Sequence, residues 1–338
     1  MAAYILAERV RFWPGHWERR AMAYLGCGNV AMAREVGDAR AAILNLAQGF
    51  SLETTPNQAL KIADFRALLP RGSRVFIAFI PGEQPAAIVA LARRLVAEGM
   101  VPVPHIAARN LMSPGEFERF ARDLHGAGVR QALLLAGGAR QPAGSLTSSL
   151  ELLESGLFEG LAFEQIFVAG HPEGNADIGP LELARALAQK NEWVLRTGLP
   201  LTIVTQFGFD ANRILAWAQA IGAAGNRLPI RIGVAGPASL AGLLKYARMC
   251  GVDASMSMLS KAGGRLIQLV GQSTPDGLIT DIATRREGWS ELIRDLHFYP
   301  FGGFERTAHW ATQLSHGAIT LHARGHGHAR GQGFTVTA

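Results

Sequence analysis

The chain has 338 residues and a mass of 36.2 kDa, with 49% apolar and 18% charged residues. This composition supports a large buried core and excludes a chain that stays mostly unfolded. The 33 basic and 27 acidic residues leave a formal charge of +6, scattered along the chain. That argues against a dedicated nucleic-acid binder, and an anionic small molecule is reason enough for the surplus.

Two cysteines, Cys27 and Cys250, make neither a disulfide framework nor a cysteine-based zinc module, which fits a reducing compartment. No stretch approaches the roughly 20 apolar residues of a membrane span. The start, Met1 to Trp17, carries Glu8, Arg9, Arg11 and His16 and so lacks the hydrophobic segment of a signal peptide. A cytoplasmic protein is the expectation.

Residues 1–40 follow neither the strand nor the helix period and include Trp13-Pro14-Gly15 and Arg19-Arg20. They read as an N-terminal extension that packs over the body or meets a partner, with Trp13 and Trp17 as packing residues. From residue 41 to 314 short apolar runs alternate with helical stretches. The runs are Ala42–Leu46, Val75–Ile80, Pro102–Ile106, Ala132–Leu135, Ile166–Ala169, Leu201–Thr205, Ile230–Val234 and Leu296–Tyr299. Most are continuous, as expected for strands covered on both faces. Helical stripes recur at Ile88, Leu91, Ala92 and Leu95, at Ile214, Trp217, Ala218 and Ile221, and at Leu240, Leu243, Leu244 and Ala247. Ser113-Pro114-Gly115-Glu116 reads as a helix start, with an N-cap serine, proline at N1 and glutamate at N3.

Eight strand-like runs over about 270 residues predict a (β/α)8 TIM barrel with an N-terminal extension. An open doubly wound sheet is the rival, because periodicity does not show closure. The stretch 253–294 is long for one unit and predicts an extra helix or two before the last strand. Residues 315–338 are rich in Gly, His and Arg and read as a flexible C-terminal tail. Its histidines, His316, His322, His326 and His328, lack cysteine or carboxylate partners, so no metal site is assigned there.

Chemistry in a barrel gathers where the strands end at one face. Those positions give Glu53, Pro81-Gly82, His105, Gly137-Gly138, His171, Gln206 and Tyr299: one acid and several polar groups, with no cysteine nucleophile and no carboxylate cluster for a hard metal. The segment Gly137-Gly138-Ala139-Arg140-Gln141-Pro142-Ala143-Gly144 could bring amides and a guanidinium to a phosphate, or be a plain turn. It is neither a Walker loop nor a G-x-G-x-x-G fingerprint.

Five segments in order carry a resemblance. Ser51-Leu52-Glu53-Thr54-Thr55-Pro56 resembles the S-F-E-F-F-P segment of the methylenetetrahydrofolate reductase family. Pro104-His105-Ile106 resembles its P-H-L segment, Gly170-His171-Pro172-Glu173-Gly174 its G-x-P-E-G/V-H loop, Thr205-Gln206-Phe207-Gly208-Phe209-Asp210 its T-Q-F-F-F-D segment, and Leu296-His297-Phe298-Tyr299 its F-H-F-Y segment. The resemblance spans residues 43–314. It implies a barrel that binds FAD, with NADH or NADPH as electron donor, and interconverts 5,10-methylenetetrahydrofolate and 5-methyltetrahydrofolate, in one-carbon metabolism such as methionine biosynthesis. A homo-oligomer is implied, with tetrahydrofolate as the substrate and neither nucleic acid nor membrane as partner.

By that resemblance Glu53 is the general acid, in a mostly uncharged setting that favours its protonated form. Gln206 reads the pterin edge, since an amide donates and accepts at once, and Tyr246 packs on the aminobenzoate part. His105, Gly137, Gly138, His171, Asn175 and Lys190 fall at flavin-contacting positions. The departures lie on the flavin side. Gly138 stands where the family has an aspartate, Ile80 where it has a threonine, and Asn175 where it has the second histidine of its loop. Loss of that carboxylate should raise the flavin potential and ease oxidation of methyltetrahydrofolate. A flavin-free folate oxidoreductase and a non-catalytic folate-binding subunit of a complex are the alternative readings.

Overall fold

Eight parallel strands close into a barrel in sequential order, β1 through β8, with β8 pairing back onto β1. They are β1 Ser51–Thr54, β2 Arg74–Ile77, β3 Val101–Ala107, β4 Gln131–Leu135, β5 Gln165–Gly170, β6 Leu201–Phe207, β7 Ile230–Ala235 and β8 Ile293–Tyr299. The computed structural model describes residues 37–80, 82–139, 141–175, 177–239, 242–243, 274–285, 292–301, 303–322 and 333–337. The chain divides into two units, residues 1–41 and 42–338. The barrel belongs to the second, and the expectations for residues 1–36 lie outside the described residues.

The longer helices that cover the strands are α1 Pro85–Ala97, α2 Pro114–Gly126, α3 Pro180–Thr197, α4 Ala211–Ala223, α5 Asp276–Arg285 and α6 Phe304–Ser315. Their starts follow from local chemistry. The Ser113 side chain accepts from the Glu116 N–H at the head of α2, while Glu116 reaches back to the Met112 N–H. Asp210 caps α4 through the Asn212 N–H. The stripe Ile88, Leu91, Ala92 and Leu95 is buried on α1, and Ile214 and Ala218 are buried on α4. Of the third stripe only Leu243 falls among the described residues, and it is buried.

The first strand lies elsewhere than the apolar run suggests. Residues 42–47 are helical, and Ile43, Leu46, Ala47 and Phe50 bury at positions i, i+3, i+4 and i+7. The strand is the next segment, Ser51–Thr54, whose Ser51 and Glu53 alternate with the buried Leu52. The C-terminal segment also differs from a flexible tail. Strands β9 Ile319–His322 and β10 Gly333–Val336 pair antiparallel, and Phe334 is buried with its ring stacked on Trp310 of α6.

The barrel interior has two halves. From β2 to β6, Phe76, Val103, Leu133, Phe167 and Val204 form an apolar cluster. Phe76 and Phe167 meet edge to face at 5.1 Å from non-adjacent strands, so both point inward. Across β7, β8 and β1 the filling is polar instead: Arg231, Asp295, His297, Ser51 and Glu53. Between strands and helices lies the main apolar core, which includes Trp193, Phe65, Phe120 and Phe158.

Candidate functional site

The polar half forms a column of side chains from three adjacent strands. Period-2 alternation sends Ser51 and Glu53 of β1, Arg231 of β7, and Asp295 and His297 of β8 to one face. Register then sets neighbours side by side: Ser51 pairs with His297, and Arg231 with Asp295. At one end the Arg231 guanidinium is fully buried and binds Asp295 Oδ2 at 2.8 Å. It also donates to the Gly49 carbonyl at 2.5 Å, Ser51 Oγ at 3.2 Å and the Leu296 carbonyl at 3.3 Å. Burial pulls Arg231 down to about 10, against the opposing pull of Asp295, so it remains charged at neutral pH.

The column continues through His297, whose Nδ1 lies 2.8 Å from Ser51 Oγ. Its Nε2 lies 4.0 Å from Glu53 Oε2 and has no hydrogen-bond partner among the described residues. Burial, then Arg231 and His105, push His297 well below its ordinary value, so the ring is neutral and the Glu53 contact is not an ion pair. On the opposite side, His105 of β3 brings Nε2 to 3.2 Å from the same Glu53 oxygen. That approach lies off the hydrogen-bonding direction, so the two groups meet by proximity without a formed hydrogen bond. Phe76 separates the two histidines, 4.5 Å from the His297 ring and 6.2 Å from the His105 ring. Glu53 keeps 21% of its side chain accessible, so the carboxylate sits where a buried polar column meets open space.

Beside it stands an aromatic wall. Tyr299 meets His297 edge to face at 4.6 Å, and its hydroxyl donates to the Thr205 carbonyl at 3.0 Å. Phe207 packs against Tyr299, Phe209 and Phe301, and the Phe301 ring stacks on Tyr299. Phe301 holds φ +49, a backbone conformation that costs an L-residue free energy and is often found where a site needs it. The β6–β7 register shifts between Val204 and Phe207, the stretch that carries the half-buried Gln206. Gly233 makes the close approach possible. A Cβ there would collide with the carbonyl oxygens of Thr205 and Gln206 and with the Tyr299 ring.

Other sequence-predicted residues occupy the loops after the strands. Gly137 holds φ +96, and a Cβ there would press on Ala107. Gly138 faces open space. The end of that loop packs on the segment after β3: the Ala143 N–H bonds the Arg109 carbonyl at 2.8 Å, and Gly144 packs on the Met112 carbonyl. Asn175 accepts from the Asp177 N–H at 2.8 Å, an Asx turn that shapes the loop after β5. His171 follows β5, and burial and the nearby Lys190 charge push it down to about 4. Lys190, on α3, is buried without a carboxylate partner among the described residues, and burial pulls it to about 8. Tyr246 lies outside the described residues.

The structure thus brings Glu53 and His105 together, puts Gln206 next to Phe207 on β6, and sets His171 within reach of the Lys190 charge. Sequence reading missed Ser51, Arg231 and His297 as a connected set. The signal was present in the alternation of Asp295, His297 and Tyr299 with Leu296 and Phe298.

No family model matches the chain. Among solved structures, an uncharacterized protein from Clostridium thermocellum that binds two copies of 5-methyl-5,6,7,8-tetrahydrofolic acid aligns with a TM-score of 0.50 and 13% identity. That alignment covers 81% of this chain and 96% of the other. A putative phosphonomutase from Burkholderia cenocepacia aligns at TM-score 0.44 and 10% identity over 84% and 98%. A dihydropteroate synthase from Thermus thermophilus aligns at 0.38 and 13% over 77% and 89%. At these identities the likeness to the first is one of fold: a closed barrel of eight parallel strands.

Proposed function

We propose that the protein is a flavin-linked folate oxidoreductase that interconverts 5,10-methylenetetrahydrofolate and 5-methyltetrahydrofolate. The observation that carries the reading is the placement of Glu53. It is a partly accessible carboxyl inside the barrel, flanked by two histidines, one of which packs on an aromatic wall. The five ordered sequence segments put the same acid and amide at the positions the folate chemistry needs. The folate bound by the Clostridium thermocellum barrel is a ligand of that protein, and it is consistent with the substrate class proposed here.

In the reductive direction Glu53 gives its proton to the ring amine whose C–N bond breaks as the methylene bridge opens. The lone pair of the remaining nitrogen forms the iminium that accepts a hydride as the methyl group is made. In reverse, the ionised Glu53 takes the proton back as the bridge closes. Gln206 donates to and accepts from the pterin edge, and the Phe207, Phe209, Tyr299 and Phe301 rings give planar groups an apolar face to stack on. Stacking fixes the donor and acceptor at reacting distance and excludes water from the hydride path.

The residues present fit a flavin nucleotide. Lys190 is a buried cation with no carboxylate partner among the described residues, its charge felt by His171, and an anionic phosphate would relieve its desolvation. Gly138 leaves open space where a side chain would stand, Gly137 and Asn175 lie in the loops after β4 and β5, and His105 lies on β3. FAD, when bound, supplies the hydride after reduction by NADH or NADPH. The absence of a carboxylate at Gly138 is also what favours the second reading, a folate oxidoreductase that works without flavin.

Glu53→Gln tests the role of the acid. The expected result is loss of folate turnover by 10²- to 10⁴-fold, with folate binding and reduction of the flavin by the nicotinamide donor largely kept. Turnover unaffected by the change would remove Glu53 from the mechanism.

A further inference from the structure

The hydrogen-bond pattern around Ser51 fixes where one proton sits. Arg231 Nη1 lies 3.2 Å from Ser51 Oγ, and a guanidinium only donates, so the serine oxygen accepts there. Ser51 is fully buried, and among the described residues the one acceptor within reach of its hydroxyl hydrogen is His297 Nδ1 at 2.8 Å. Nδ1 is therefore the acceptor nitrogen, and the neutral ring carries its hydrogen on Nε2. That atom is fully buried, has no hydrogen-bond partner among the described residues, and stands 4.0 Å from Glu53 Oε2.

We propose that Arg231 and Ser51 lock His297 into its Nε2–H tautomer, making it a positioning residue that donates to the Glu53 carboxylate once Glu53 has lost its proton. The proposal rests on Glu53 exchanging a proton with a bound folate, and it adds the group that receives the resulting negative charge. Among the described residues, the charged and titratable groups around the ring are Glu53 on its own side, His105 on β3, Arg231 and Asp295 on β7 and β8, and the Tyr299 phenol, whose hydroxyl donates to the Thr205 carbonyl. Arg231 is paired with Asp295 at 2.8 Å, and its charge still reaches the ring. Burial, Arg231 and His105 together keep His297 from taking a second proton. A donor that stays neutral steadies the carboxylate without holding it as a permanent ion pair, so Glu53 can cycle between its two states.

The first test is ¹⁵N NMR of the histidine ring nitrogens in the full chain, with the His297 signals identified by their loss in His297→Gln. The expected spectrum shows Nδ1 bare and Nε2 protonated from pH 6 to 9, and Ser51→Ala is expected to populate the Nδ1–H form. A proton on Nδ1, or a doubly protonated ring, would overturn the tautomer lock. The second test is the pH dependence of 5-methyltetrahydrofolate oxidation in single turnover. His297→Phe is expected to move the rising acid limb upward by about one pH unit. His297→Gln, which puts an amide N–H in place of Nε2–H, is expected to restore it. A limb that does not move would overturn the role of His297. If the wild type oxidises no folate, the functional reading and the role of His297 toward Glu53 fail together, while the tautomer lock is still decided by the NMR.

Discussion

At the residue scale, the site is built from groups whose burial costs something. Lys190 is the clearest case, a buried ammonium held at about 8 with no carboxylate against it among the described residues. Lys190→Met should stabilise the fold by about 2 kcal/mol at neutral pH, because it removes a desolvated charge from an apolar site. The same change should weaken FAD binding, so a melting curve and a flavin titration should move in opposite senses. A lower melting temperature would show that Lys190 has a structural partner that this account lacks. His171 sets a pH dependence. The unfolded chain takes up a proton at this residue near pH 6.5, but the folded chain resists it down to about 4. Stability is therefore full above pH 6.5 and declines as pH falls through that window, by about 2 kcal/mol for a half-buried ring. Denaturant midpoints at pH 7 and pH 4.5 measure it, and His171→Phe should flatten the difference. Glu53, Gln206 and His105 stand out in the sequence because each sits inside a recognisable segment, whereas the neighbours each acquires belong to the folded chain. Lys190 was legible by position, while its uncompensated charge was not, since burial belongs to the folded chain.

At the element scale, seven of the eight strands follow from their apolar runs, and the exception is informative. β1 is short and carries Ser51, Glu53 and Thr54, so it has no apolar run to announce it. Its inward positions hold the polar column, and the neighbouring helical segment holds the apolar residues instead. β8 shows the same trade, with Asp295, His297 and Tyr299 alternating with buried Leu296 and Phe298. A half-polar barrel interior hides its own strands from a search for hydrophobicity, and period-2 alternation is the signal that remains. The bulge in β6 was not legible, because it comes from pairing with β7 across the tight contact at Gly233. Gly233→Ala should cost about 3 kcal/mol, since its Cβ meets two backbone oxygens that cannot rotate away. The expected signature is a lower denaturant midpoint together with loss of the Tyr299–Thr205 hydrogen bond. An unfolding free energy within about 0.5 kcal/mol of wild type would contradict the close approach.

At the scale of the whole molecule, closure of the sheet brings residues far apart in sequence into one column. Ser51 and His297 are 246 positions apart, and Arg231 and Ser51 180. Open and closed sheets share the same alternation of strands and helices, and the sequential strand order with the β1–β8 pairing separates the barrel from its doubly wound rival. That pairing also places Glu53 beside His297, so fold and site depend on the same contact. The most direct test of the central claim is a visible absorption spectrum of the purified protein loaded with FAD, recorded without oxygen before and after addition of 5-methyltetrahydrofolate. The expected result is an oxidised flavin spectrum that bleaches on addition of the folate. A protein that takes up no FAD, or a bound flavin that stays oxidised at saturating folate, would contradict it.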